Sequence, residues 1–195
     1  MMNSVCVYCG ASINNDVVLR QAISDLADNL TKKNIILIYG GGSVGVMGIL
    51  ADAVLANNGE VIGVIPQFLM DKEVGHLGVT EMFITQNMHE RKQKMADLAE
   101  GFMILPGGFG TLEEFFEVLT WLQLGLHQKP IGILNVNGYY NHLLLQIDVM
   151  VEQGFLKPEN RALILSDEDS EKLIQKMNSF SVKTDDNWFK ERNLS

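Results

Sequence analysis

The sequence predicts an α/β fold, a doubly wound, mostly parallel sheet with helices on both faces. Three observations predict it: short apolar runs of strand length recur along the chain, most are apolar on both faces, and helical segments alternate with them. The runs are SVCVYCG, NIILIYGG, EVIGVIP, MFITQN, GFMILPGG, KPIGILNVNG and ALILS. Helices are expected at 16–32, 46–57, 88–100, 112–126, 139–152 and 170–177. A chain of 195 residues suits one sizeable core, so residues 1–178 are expected to form a single domain and 179–195 a polar tail.

In chain order, the first run carries Cys6 and Cys9 as C-x-x-C. A redox pair of this type opens the helix after its strand, whereas Cys6 lies inside the run, and zinc would need two further ligands; both are read as strand cysteines without a redox role. The second run ends at Tyr39 and enters the turn YGGGSVGVMG. Glycines let backbone amides approach a phosphate, and a helix start adds partial positive charge, which makes Gly41, Gly42 and Ser43 candidate phosphate contacts. The alternative is tight packing with no ligand. Gly40, Gly42 and Gly45 also fit G-x-G-x-x-G, but the acid that should follow, Glu60, stands at the start of the next run rather than at its carboxyl end, so NAD binding is only a runner-up.

The segment 67–80 is the one long connection inside the body, either a ligand loop or a surface excursion. In the helical segment that opens NMHERKQKM, the apolar positions Met88, Met95 and Leu98 leave Arg91 at the missing inward position, with His89 and Glu90 beside it. A permanently charged guanidinium is costly to bury without an acid or phosphate, so Arg91 is expected to face one; snorkelling at the edge of the stripe is the bland alternative. Lys92 could add a second charge.

The next run ends in LPGGFGTLEE, where Gly107, Gly108 and Gly110 lead into a helix. Thr111 is a good N-cap, and Glu114 then stands in capping-box spacing. Leu112, Phe115, Phe116, Leu119, Leu122 and Leu126 form the expected apolar stripe, leaving Glu113, Glu117 and Thr120 on another side. The helix start therefore offers amides to an anion and carboxylates to a hydroxyl. Trp121 and Leu124 lie off the main stripe and point to a subunit contact or a second core layer.

Composition narrows the function. A net charge of −9 argues against general affinity for nucleic acid or an anionic membrane surface. No basic residue precedes Arg20, and the uncharged run 35–51 is short for a span of about 20 apolar residues. A cytoplasmic protein is expected. The four histidines show no pair at ligand spacing, so no metal site is expected.

CGAS, GGGSVGVMG, MHERK and PGGFGTLEE, in this order and spacing, resemble the Lonely Guy (LOG) family of nucleoside 5′-monophosphate phosphoribohydrolases, often labelled lysine decarboxylases. The likeness runs from Val5 to about Phe155, with Ala11 where the family commonly has serine. It implies a Rossmann-like homodimer without a cofactor that cleaves the N-glycosidic bond of cytokinin riboside 5′-monophosphates or AMP, with Arg91 and Glu114 as the catalytic pair. It further implies substrate contacts from Glu73, Arg91, Lys92, the loop Gly108, Phe109, Gly110, Thr111, Leu112, Glu113 and Glu114, and Thr120. The glycine loops, Gly41, Gly42 and Ser43 together with Gly107, Gly108, Gly110 and Thr111, would hold the 5′-phosphate. A non-catalytic nucleotide or cofactor carrier using the same loops is the alternative. Decarboxylation has no support in the residues, since no lysine stands in a setting suited to a pyridoxal Schiff base.

Overall fold

The computed structural model describes residues 1–13, 16–72 and 74–181. Glu73 and all of the polar tail beyond residue 181 lie outside the described residues.

The chain alternates strand and helix. β1 (Ser4–Tyr8), α1 (Val17–Lys32), β2 (Ile36–Tyr39), α2 (Gly45–Ala56), β3 (Val61–Pro66), the short α3 (Gln67–Met70) and β4 (Glu81–Thr85) build one half. α4 (Met88–Leu98), β5 (Phe102–Ile104), α5 (Phe109–Gln123), β6 (Ile131–Leu134), α6 (Asn141–Glu152), the short α7 (Pro158–Arg161), β7 (Ile164–Asp167) and α8 (Ser170–Asn178) complete it. The seven strands form one sheet in the order β4-β3-β2-β1-β5-β6-β7. Every strand pair is parallel, so the expected mostly parallel sheet is wholly parallel among the described residues.

Alternation along the strands divides the core in two. Val5, Val7 and Cys9 face the layer that contains Leu19, Ile23, Leu26 and Leu30 of α1 and Leu50 and Val54 of α2. Cys6 and Tyr8 face the opposite layer, with Met95 of α4, Phe115, Val118 and Leu122 of α5, and Ile147 of α6. The two cysteines thus sit on opposite sides of β1, both buried and free, and burial pushes both thiols well above the ordinary cysteine range. Cys6 is a strand cysteine as read, whereas Cys9 follows the end of β1 and lines the cavity at its carboxyl edge.

Local signals set the helix starts. Asp16 caps α1 by accepting from the Val18 and Leu19 amides, and Asn87 caps α4 by accepting from the Glu90 amide. The sequence misplaces the start of α5: its N-cap is Gly108, with no side-chain cap, so the helix begins at Phe109 and Thr111 lies inside its first turn. The Thr111–Glu114 capping box does not form. The inward face is Thr111, Glu114, Phe115, Val118 and Leu122; the expected stripe holds at Phe115 and Leu122, with Leu112 and Leu119 packed against the core, and fails at Phe116 and Leu126. Phe116 and Leu126 are exposed, and half-buried Trp121 packs on the second core layer while Leu124 lies exposed.

The strand order reverses between β1 and β5. β2 lies on one side of β1 and β5 on the other, so the connections leaving their carboxyl ends part and leave a crevice. Glu60 sits at the opposite edge, where its carbonyl accepts from the Leu37 amide at the entry of β2, which agrees with its misplacement for ribose binding.

Candidate active site

A cavity of about 980 Å³ opens at this crevice, walled by residues that follow β1, β2, β5 and β6. Arg91 and Glu114 meet there from two different helices.

Arg91 stands in the first turn of α4 and is buried. Its Nε donates to the Val64 carbonyl at 3.0 Å and its Nη2 to the Gly40 carbonyl at 3.2 Å. Nη1 lies 3.7 Å from Oε1 of Glu114. Carbonyl oxygens of β3 and of the residue after β2 thus orient the guanidinium, while Nη1 touches Met88 Sδ at 3.8 Å and faces the carboxylate. Gly40 makes the arrangement sterically feasible, since a Cβ there would lie 1.9 Å from Nη2.

Glu114 is buried one and a half turns into α5. Burial pushes its carboxyl up to about 7; the Arg91 guanidinium pulls it down, and the neighbouring Glu113 pushes it up again. A carboxyl at that value exchanges its proton near neutral pH, the property a general acid or base requires.

Glu113 behaves differently. Its side chain is 56% exposed and accepts from Lys92 Nζ at 2.6 Å, while Glu117 accepts from the same ammonium at 2.9 Å. Burial alone would lower the Lys92 ammonium, but its hydrogen bonds to these two carboxylates raise it above the ordinary lysine value. Lys92 therefore straps α4 to α5, and it is absent from the cavity wall.

The two glycine-rich turns also differ. Gly40 and Gly42 touch the cavity, but the Ser43 amide donates to the Val74 carbonyl at 2.8 Å. The Val46 amide in the first turn of α2 donates to the Gly10 carbonyl at 3.0 Å, and Met47 reaches the same oxygen. Gly41 accepts from the His76 amide, and an isolated bridge joins Gly42 to Gly75, so the 67–80 connection is stitched onto this turn. His76 adds a side-chain bond to Asp52 of α2 at 3.0 Å.

At the β5–α5 turn, Gly107, Gly108, Gly110 and Thr111 all line the cavity. The Gly108 carbonyl accepts the first helical bond from Leu112, while the amides of Phe109, Gly110 and Thr111 belong to the first turn, which has no intrahelical acceptors. A Cβ added at Gly108 or Gly110 would meet nothing within 4 Å. The turn presents a bare helix N-terminus to open space, a setting suited to an anion.

Other anticipated contacts are not brought together here. Phe109 is 94% exposed, Leu112 packs on the core, and Thr120 is exposed with its hydroxyl bonded to the Phe116 carbonyl. Conversely, Asp16, Asn137 and Tyr139 line the cavity although no sequence pattern gave them a role there, and Ser12 and Met88, seen only as members of a motif and an apolar stripe, line it too. Their connections follow strands on either side of the switch point, and only the strand order reveals that they converge. Among the described residues, no group of three or more His, Cys, Asp or Glu side chains could hold a metal ion, and no helix is long and apolar enough to cross a membrane.

Fold and site together define an α/β protein with its ligand crevice at the sheet's switch point, equipped with a buried arginine–carboxyl pair beside an open helix N-terminus. Residues 47–177 match the family model described as "Possible lysine decarboxylase". The chain is 45% identical over 181 residues to cytokinin riboside 5′-monophosphate phosphoribohydrolase LOG5 of Arabidopsis thaliana, covering 93% of this chain and 79% of that protein. It is 47% identical over 176 residues to LOG1 of the same plant, covering 90% and 83%. The chain belongs to the LOG family. A solved molybdenum cofactor binding protein from Rippkaea orientalis shares the fold at a TM-score of 0.66 and 18% identity, with 92% of this chain and 97% of that one covered.

Proposed function

We propose that this chain is a phosphoribohydrolase that adds water across the N-glycosidic bond of nucleoside 5′-monophosphates, releasing free base and ribose 5-phosphate. Cytokinin riboside 5′-monophosphates and AMP are the substrates. The observation that carries this reading is Glu114: a buried carboxyl held near neutral pKa, 3.7 Å from a buried guanidinium, in a cavity that also receives a helix N-terminus. The activity named for the Arabidopsis relatives supports it.

Cleaving a ribosyl bond develops positive charge on the sugar. Ionised Glu114 steadies that charge and aligns water, while Arg91, unable to lose its own proton, assists the departing base or anchors an anionic group. Glu113 is left out of this step because Lys92 holds its carboxylate. The 5′-phosphate binds the amides that open α5 rather than the Gly41–Gly42–Ser43 turn, where the Ser43 amide is engaged by Val74. Lys92 acts on substrate indirectly, through the position of α5. The enzyme works as a homodimer whose contact uses the exposed apolar side chains Phe116, Leu124 and Leu126, and it acts in the cytoplasm.

The test is release of free base from AMP, isopentenyladenosine monophosphate, CMP, GMP and the matching nucleosides, followed by chromatography. Release from monophosphates and not nucleosides is expected, with Glu114→Ala lowering turnover about 100-fold or more. Tight binding with no release from any of them would move the protein to the carrier class.

A further inference from the structure

The β6–α6 connection places two adjacent tyrosine hydroxyls on the β5–α5 turn. Tyr139 donates to the Gly107 carbonyl and Tyr140 to the Leu105 carbonyl, each at 2.8 Å, and their rings meet edge to face with centroids 4.8 Å apart. Left-handed Asn137 and Gly138 turn the chain just before them, and the Asn135 side chain fixes the exit by accepting from the Tyr140 amide and donating to Asn141.

Four successive carbonyls of the turn thereby have donors from the chain itself. Leu105 accepts from Tyr140, Pro106 from the Gly10 amide at 3.1 Å, Gly107 from Tyr139, and Gly108 from the Leu112 amide at 3.1 Å. No peptide here is cis, so each N–H points away from the carbonyl of its own peptide group. Fixing a carbonyl therefore aims the next residue's amide.

The two tyrosines differ at this point. The carbonyl held by Tyr140 precedes Pro106, which has no N–H to aim. The carbonyl held by Tyr139 precedes Gly108, whose amide lies beside those that open α5. The Gly107–Gly108 peptide is flanked by two residues without Cβ atoms, and a Cβ at Gly108 would meet nothing within 4 Å. Gly107 packs closely on Thr111 and Gly10, but on the Gly108 side no atom blocks rotation, and a flip would turn a carbonyl oxygen, instead of an N–H, toward a bound anion.

We infer that Tyr139 is a positioning residue for phosphate recognition: its hydroxyl latches the Gly107–Gly108 peptide with the Gly108 N–H available to the 5′-phosphate. Tyr140, 3% exposed, serves stability alone. The inference rests on the phosphoribohydrolase reading for the identity of the anion.

The test compares Tyr139→Phe with Tyr140→Phe in the full chain, by titration calorimetry with ribose 5-phosphate and with ribose, by thermal melting, and by steady-state kinetics on AMP. Tyr139→Phe is expected to weaken ribose 5-phosphate about tenfold and raise KM for AMP by a similar factor, with kcat within about threefold and Tm unchanged. Tyr140→Phe is expected to lower Tm and leave ribose 5-phosphate binding within about threefold of wild type. Wild-type affinity for ribose 5-phosphate in Tyr139→Phe would overturn the inference, as would equal weakening by both variants. Ribose 5-phosphate binding is read without turnover, so a wild-type protein that hydrolyses no monophosphate would sink the hydrolase reading while the calorimetric comparison still decides the role of Tyr139.

Discussion

The two glycine-rich turns at the carboxyl edge of the sheet look alike in composition and do opposite jobs. After β2, the glycines give clearance: Gly40 lets the Arg91 guanidinium pass, Gly45 lies against the Ala11–Ser12 backbone at a φ of 65°, and Gly48 packs on the Ser43 carbonyl. The amides of Ser43, Val46 and Met47 are engaged by carbonyls of the chain. After β5 Gly107 also gives clearance, to Thr111 and Gly10, but the hydrogen bonding inverts. The carbonyls from Leu105 to Gly108 all find donors, and the first amides of α5 are left open beside the cavity. A glycine-rich loop at a helix start is thus an anion site only when its amides are unengaged, which depends on what packs against it.

Alanine at chosen glycines separates the two jobs. The largest effect is expected at Gly45, where the left-handed conformation costs a side chain about 1–2 kcal/mol and the new Cβ would stand 2.2 Å from the Ala11 carbonyl carbon. Gly45→Ala should lose more than about 4 kcal/mol in urea unfolding; a loss under about 1 kcal/mol would show that this turn is not a packing device.

Gly40→Ala should act on chemistry more than on stability. Displacing Nη2 of Arg91 moves the guanidinium away from Glu114, and misplacement by about 1 Å is expected to lower kcat about 100-fold. Unchanged kcat would detach Arg91 from the reaction.

Glu114→Gln sharpens the contrast through pH. Burial raises the folded-state carboxyl from 4.5 to about 7, so between these values the folded protein keeps a proton that the unfolded chain has released. The contribution of Glu114 to stability is therefore greatest below about 4.5 and falls as pH rises to about 7, by about 3 kcal/mol in all at 1.36 kcal/mol per pH unit. Glutamine, always neutral, should raise the Tm at pH 8 and leave it nearly unchanged at pH 4.5. Wild-type turnover should rise with pH through about 7 as the carboxylate forms. Equal Tm differences at both pH values would place the Glu114 pKa near that of an ordinary glutamate.

The smallest effect is expected at Gly108. A methyl there has open space, so Gly108→Ala should change stability by less than about 0.5 kcal/mol. Gly108 lines the cavity, and KM for a monophosphate should rise by less than about tenfold.

Much of this was legible from residue patterns, for reasons that differ by element. The alternation of apolar runs and helical segments carries the sheet, and the gap in the Met88–Met95 stripe reveals Arg91 as a charge turned inward. The start of α5 was misread because Thr111 has a capping residue's chemistry, whereas the cap is Gly108, selected by how the turn packs on Gly10 and Tyr139. For Lys92 the charge was visible and its partners were not, because Glu113 and Glu117 approach from another helix. Tyr139 and Asp16 reach the cavity from connections remote in sequence, and local periodicity carries no trace of such convergence.

The central position of β1 has a consequence for how the molecule comes into being. Ser4–Tyr8 pairs with β2 early in the chain, but its other edge pairs Cys6 with Phe102 and Tyr8 with Ile104, the widest sequence separation of any strand pairing in the sheet. During synthesis the first strand must wait with one edge unpaired until β5 leaves the ribosome, a non-local closure of the kind that slows folding. The crevice that holds Arg91 and Glu114 is bounded by that same closure, so a nascent chain ending before β5 has neither a complete sheet nor a place for chemistry.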